Sequence, residues 1–209
     1  MHQVRNDLLR ILFDDVQQAF DRMAISDIQS DRRNGLRTII SAAEGATWVC
    51  RMHVLAIAKD LDAATPQMEM AFAEASYSVS SKGEIMEQAR YVPLTAMIRL
   101  IAKVAMTFCP ELKVDFGDVG WEKLKAAIVV RNRITHPRVS ADLFISDNEI
   151  EDAKIGLFWF LGLSLKIMEE TVKELNISAV IARKLVAELI AGDPDALALY
   201  NRAHRETET

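Results

Sequence analysis

Residues 36–57 read LRTIISAAEGATWVCRMHVLAI. Within them Ile39, Ala43, Ala46, Cys50, His53 and Ile57 recur at alternating steps of four and three. That spacing lines one face of an α-helix and fits no strand. The segment before it repeats the pattern. Leu9, Leu12, Phe13, Val16, Phe20 and Met23 share a face, with Asp14, Asp15, Gln17, Gln18 and Asp21 opposite. Between the two, Ser26-Asp27-Ile28-Gln29 has the spacing of a capping box, so the longer helix is expected to open there and to reach about Leu61. Pro66 punctuates the chain after it.

The remaining chain continues in the same period. Met68, Phe72 and Ala75 fit a short helix, and Ser78 to Gly83 reads as a loop. Pro93 suits the first turn of a helix carrying Leu94, Ile98, Ile101, Ala102 and Ala105, which Pro110 ends. Val114 to Gly120 reads as a second loop, and Trp121 to about Thr135 as the next helix. Ser146-Asp147-Asn148-Glu149 is another capping box, expected to open a helix over Asp147 to Leu175 that stops at Asn176. Ser178 to Ala191 then forms a separate helix, and Gly192-Asp193-Pro194 reads as stop, cap and first position of a last one. The expected fold is all-α: a single domain over residues 1–209, with a bundle core over 1–175 and a helical extension over 176–209.

Composition agrees. The chain has 209 residues, half of them hydrophobic and 26% charged, with only 8 Gly and 5 Pro. That is enough chain to bury a large core without a disulfide or metal staple. The 25 basic against 30 acidic residues give a net charge of −5, so nucleic acid would have to meet a local basic site. Cys50 and Cys109 lie in apolar segments without a CxxC or Cys/His cluster, so two reduced, buried thiols are expected and no metal site. The sequence begins without an apolar signal-peptide region. The longest near-apolar run, Ile155 to Met168, contains Lys166 and is too short to span a bilayer. The expectation is a soluble cytoplasmic protein. Phe158, Trp159 and Phe160 fall on three helix faces that a small bundle cannot all cover, so a C₂ homodimer is expected as well.

Phosphate-loop, dinucleotide, zinc-protease and nucleophile-elbow motifs do not occur. Of the four histidines, His2 and His204 read as solvated terminal residues, and His53 as a partly buried member of an apolar stripe. His136 stands apart. It closes the run Arg131-Asn132-Arg133-Ile134-Thr135-His136-Pro137-Arg138, behind the apolar Ile128-Val129-Val130. Pro137 disfavours helix at His136, so the helix should end near Thr135 with the imidazole at its edge. A histidine beside guanidinium groups suits acid–base work on a phosphodiester, since arginine matches phosphate oxygens with a planar fork. Positions 131 and 136 are about 140° apart on an ideal helix and converge only if the helix tightens or ends between them, or if the long Arg131 side chain bends back. The same residues equally fit a charged helix end whose arginines pair with acids elsewhere.

Arg131-Asn132-x3-His136-Pro137, at a helix end in an all-helical chain, resembles the signature of the HEPN superfamily. The likeness covers about residues 36–175 in architecture and six or seven residues in motif. It implies a bundle of four or five helices and an obligate dimer with its motifs facing each other across a cleft. It further implies a metal-independent endoribonuclease of a toxin–antitoxin or phage-defence kind, needing no cofactor, with RNA as substrate and an antitoxin as partner. By that resemblance Arg131 and His136 are the catalytic pair and Asn132 the polar residue supporting them. Arg133 and Arg138 are not signature positions, and RNA backbone contact and a salt-bridge role stay open for both. Glu44, a lone acid among small residues on a preceding helix, cannot be aligned with a family position and stays outside the candidate site. A HEPN-like binding or regulatory module without catalysis is the alternative reading.

Overall fold

The computed structural model describes residues 2–207, with side chains described over 7–205. Seven α-helices dominate: α1 (His2–Ile25), α2 (Gln29–Asp60), α3 (Pro66–Phe72), α4 (Leu94–Phe108), α5 (Val119–Thr135), α6 (Asp147–Ile190) and α7 (Pro194–Thr207). A hairpin of β1 (Ala75–Val79) and β2 (Ile85–Ala89) is inserted after α3, and a short 3₁₀ turn covers Ser140–Leu143. Among the described residues, no helix is long and apolar enough to cross a membrane.

α2, α4, α5 and α6 share the core. The predicted stripe on α2 is the buried one: Ile39, Ala43, Ala46, Cys50 and Ile57 all face inward. α1 runs antiparallel along α2, and the contact is close because α2 offers glycines to it. A Cβ on Gly45 would meet Leu12, and one on Gly35 would meet Met23. α5 and α6 are antiparallel and approach still more tightly, with Gly156 of α6 against the Leu124 backbone. α2 and α6 are parallel: Gln29 exchanges hydrogen bonds with Ile145 just before α6, and His53 meets Thr171 late in it. The His53–Thr171 bond, 2.9 Å, bears out the reading of a satisfied, half-buried histidine. Cys50 and Cys109 are unpaired and buried, as expected.

Three local expectations are corrected. Ser26 does not cap α2. The N-cap position is Ile28, with no side-chain cap, and the Ser26 hydroxyl bonds the Asp31 carboxylate instead. Asp27 takes the left-handed conformation between α1 and α2, which carries Ser26 away from the first amides of α2. The loop read at Ser78 to Gly83 is the turn of a hairpin over residues 80–83, but Ser78 and Val79 belong to its first strand, with Ala75 opposite Ala89 and Val79 opposite Ile85. Its turn is closed by the Ser80 side chain, which accepts from Lys82 and Glu84 amides, and by Gly83 at φ 80°. Asn176 does not end α6, which continues unbroken to Ile190. One asparagine costs a helix only about 0.5–0.7 kcal/mol, and neither glycine nor proline follows it until Gly192. There the predicted stop holds: Gly192 has φ 75° and the Asp193 carboxylate caps α7 through the Asp195 and Ala196 amides. The Ser146–Glu149 capping box is also formed.

The aromatic trio on α6 divides three ways. Phe160 is buried, and Trp159 packs edge-on with Phe116 and against Trp121. Phe158 is 61% exposed. The predicted solvated state of His2 lies outside the described side chains. His204 is exposed and stacks on Tyr200.

Candidate active site at the end of α5

α5 begins with Asp118 capping the Gly120 amide and ends where Pro137 forces it to. His136 is the C-cap residue, at φ −125° and ψ 60°, out of the helical region as the following proline requires. Its amide still closes the last turn on the Asn132 carbonyl, 3.0 Å away. The ring is exposed at the negative end of the helix dipole. Helical geometry persists through Thr135, so the backbone does not tighten between positions 131 and 136.

Arg131 turns from α5 toward α2 and pairs with Glu44. No hydrogen bond joins Arg131 to His136 among the described residues. The two stand at one end of α5, about one turn apart, with exposed Asn132 beside them. The acid left outside the candidate site is therefore in direct contact with it. Its isolation as a lone acid among Ala42, Ala43, Gly45 and Ala46 was the available signal. A second residue unseen from sequence is Arg37, about two turns before Glu44 on the same face of α2. It donates to the Ile134 carbonyl at 3.1 Å and so covers an open carbonyl in the last turn of α5. The Thr135 hydroxyl donates back to the Arg131 carbonyl, one turn earlier.

Arg133 faces the other way. Its Nε donates to the Asp142 carbonyl, one terminal nitrogen to the Phe144 carbonyl at 2.6 Å and the other to Glu149 at 2.8 Å. All three nitrogens are thus used inside the protein, tying α5 to the loop and to the first turn of α6. Of the two roles left open for Arg133, the salt-bridge role is the one this geometry fills. Burial pushes the Glu149 carboxyl up, but the hydrogen bonds from Arg133 and Ser146 outweigh it and hold the group below its ordinary value. Arg138 is exposed. Its amide and that of Val139 donate to Asp142, which holds that carboxyl below the usual range.

Next to Glu44 lies an open cleft of about 250 Å³, bordered by Trp48, Arg51, Glu74 and Tyr91. Trp48 and Tyr91 both present exposed ring surface there. Arg51 is fixed by Glu74 at 2.8 Å, and Glu74 also accepts from the Val92 amide. Among the described residues no group of three His, Cys, Asp or Glu stands ready to hold a metal ion. The arrangement offers one exposed imidazole, two anchored guanidiniums, Arg131 and Arg51, and two exposed aromatic rings. Comparison of the chain with protein-family models, curated proteins and solved structures gives no match.

Proposed function

We propose that the protein is a HEPN-like endoribonuclease that cleaves RNA by attack of the ribose 2′-oxygen, with Arg131 and His136 as its working pair. What supports this reading is the presence, at one end of α5, of both an exposed imidazole at the C-cap and an arginine five residues back that Glu44 holds. His136 takes the proton of the 2′-OH or gives one to the departing 5′-oxygen. The new bond joins the 2′-oxygen to phosphorus as the P–O5′ bond breaks, leaving a 2′,3′-cyclic phosphate. Arg131 stabilises the charge that grows on the phosphate oxygens, and its bond to Glu44 fixes its position without fully hiding it. In this reading Asn132 supports the pair, and the exposed Arg138 contacts the flanking RNA backbone. Trp48 and Tyr91 give neighbouring bases a face to stack on. A toxin or phage-defence role, with an antitoxin as partner, belongs to the same proposal.

One observation favours the second reading, a non-catalytic binding module: Glu44 already neutralises much of the charge of Arg131. The two readings part in a single experiment. Wild type and His136→Ala are incubated with RNA in EDTA, and product ends are analysed. Cleavage to cyclic phosphates by wild type, lost in His136→Ala, is the expected result. RNA binding without cleavage, unchanged by His136→Ala, selects the binding module.

A further inference from the structure

α6 carries a pattern that a single chain leaves unused. Phe158, Leu165, Val172, Ala179 and Val186 are spaced by seven, and the residue three further on is in turn Leu, Met, Leu, Ala and Leu. These are the a and d positions of a coiled coil, unbroken over more than four heptads. The a side of the seam is open, with Leu165 67% and Val186 54% exposed, while Leu161 and Met168 on the d side are half-buried against the chain's own core. Burial of α6 in the core stops at Thr171, so the helix runs on for nineteen residues, roughly 28 Å, past its own bundle. An apolar helical arm of that length is marginal alone in water.

We propose that this seam pairs with the same seam of a second copy, antiparallel, as a two-stranded coiled coil. The flanking positions determine both occupant and direction. On one flank Leu157, Ser164 and Thr171 are buried in the chain's own core, so only the other flank faces a partner. That flank holds Gly162, Glu169, Asn176, Arg183 and Ile190, all exposed. With Leu165 opposite the partner's Leu189 and Val172 opposite the partner's Ala182, Glu169 falls beside the partner's Arg183, and by symmetry the pair forms twice. Sliding the register by one heptad either way sets Glu169 against asparagine or isoleucine and loses both pairs. Parallel pairing sets the flank against the uncharged positions 164, 171 and 178 and forms none. The charge pattern is thus self-complementary in one direction and one register.

This inference does not depend on the ribonuclease reading. It places the two Arg131–His136 sites near opposite ends of the assembly, each on the order of 40 Å along α6 from the twofold axis. That differs from the facing arrangement which the family resemblance implies.

The test uses the full chain in sedimentation and oxidative crosslinking, with circular dichroism to check folding. Wild type is expected to be a dimer at tens of micromolar, and Leu165→Asp or Val186→Asp a folded monomer. Glu169→Arg or Arg183→Glu alone should weaken dimerisation about tenfold, through two like-charge contacts, and the double exchange should restore it. Val172→Cys with Ala182→Cys in one chain should crosslink two copies under oxidation. The two positions are about 15 Å apart within one helix and cannot bridge each other there. Either cysteine alone should stay uncrosslinked, since the native Cys50 and Cys109 are buried. A monomeric wild type, a dimer indifferent to both aspartates, or crosslinking by a single cysteine variant would each overturn the proposal.

Discussion

Replacing Arg133 by alanine separates a framework residue from an RNA-binding one. The change deletes three hydrogen bonds, to the Asp142 and Phe144 carbonyls and to the Glu149 carboxylate. A neutral hydrogen bond contributes about 1 kcal/mol net, and a charged one about 1.5–3. The Arg133 side chain is 34% exposed, so water replaces part of what is lost and the lower end of the range applies. The expected loss is about 2–3 kcal/mol. For a chain of this size it lowers Tm by roughly 4–12 °C.

The pH dependence of that loss carries its own sign. Glu149 titrates below its ordinary value in the folded protein. Its contribution is therefore present above the unfolded carboxyl pKa and disappears as pH falls through the folded one. Removing Arg133 weakens this term, so the difference between wild type and variant should be largest near neutrality and narrow in acid to the part that the two carbonyl bonds contribute. Thermal unfolding across a pH series measures both effects. An RNA titration at several salt concentrations measures the alternative, because a lost phosphate contact reduces the salt slope by about one. An unchanged Tm together with a slope reduced by one would refute the framework role.

Three further outcomes are expected. Gly156→Ala should destabilise by about 1–3 kcal/mol in denaturant titration, because the added Cβ would lie 2.6 Å from the Leu124 backbone. A neutral result would mean that α5 and α6 are further apart. Arg131→Ala, His136→Ala and the double variant should lose similar amounts of RNA cleavage if the pair works as one unit, and additive losses would separate their roles. Burial raises Cys50 to about 12, and burial with nearby Glu174 and Glu170 raises Cys109 to about 11. Both thiols should resist maleimide at pH 8 until denaturant is added, and fast labelling of the native protein would contradict their burial.

The helices were legible in the amino-acid sequence, because a 3.6-residue period is local and survives any tertiary arrangement. The stripe Ile39–Ile57, the Ser146–Glu149 cap and the Gly192-Asp193-Pro194 break all act within a few residues of themselves. The end of α5 at His136 was legible for the same reason, since Pro137 acts on its neighbour alone. Where a local signal competed with a nearby alternative, it failed: Ser26 chose Asp31 over the helix amides, and Asn176 gave way to the helix around it. The hairpin was hidden because β2 is Ile-Met-Glu-Gln-Ala, which acquires strand character only from pairing with β1. Only the tertiary structure decided what the arginines do. Arg131 meets Glu44 because α5 packs beside α2, and Arg133 turns inward because the loop before α6 folds back over it. Side-chain period belongs to one helix, whereas an ion pair belongs to two, and their relative placement is written in no single segment.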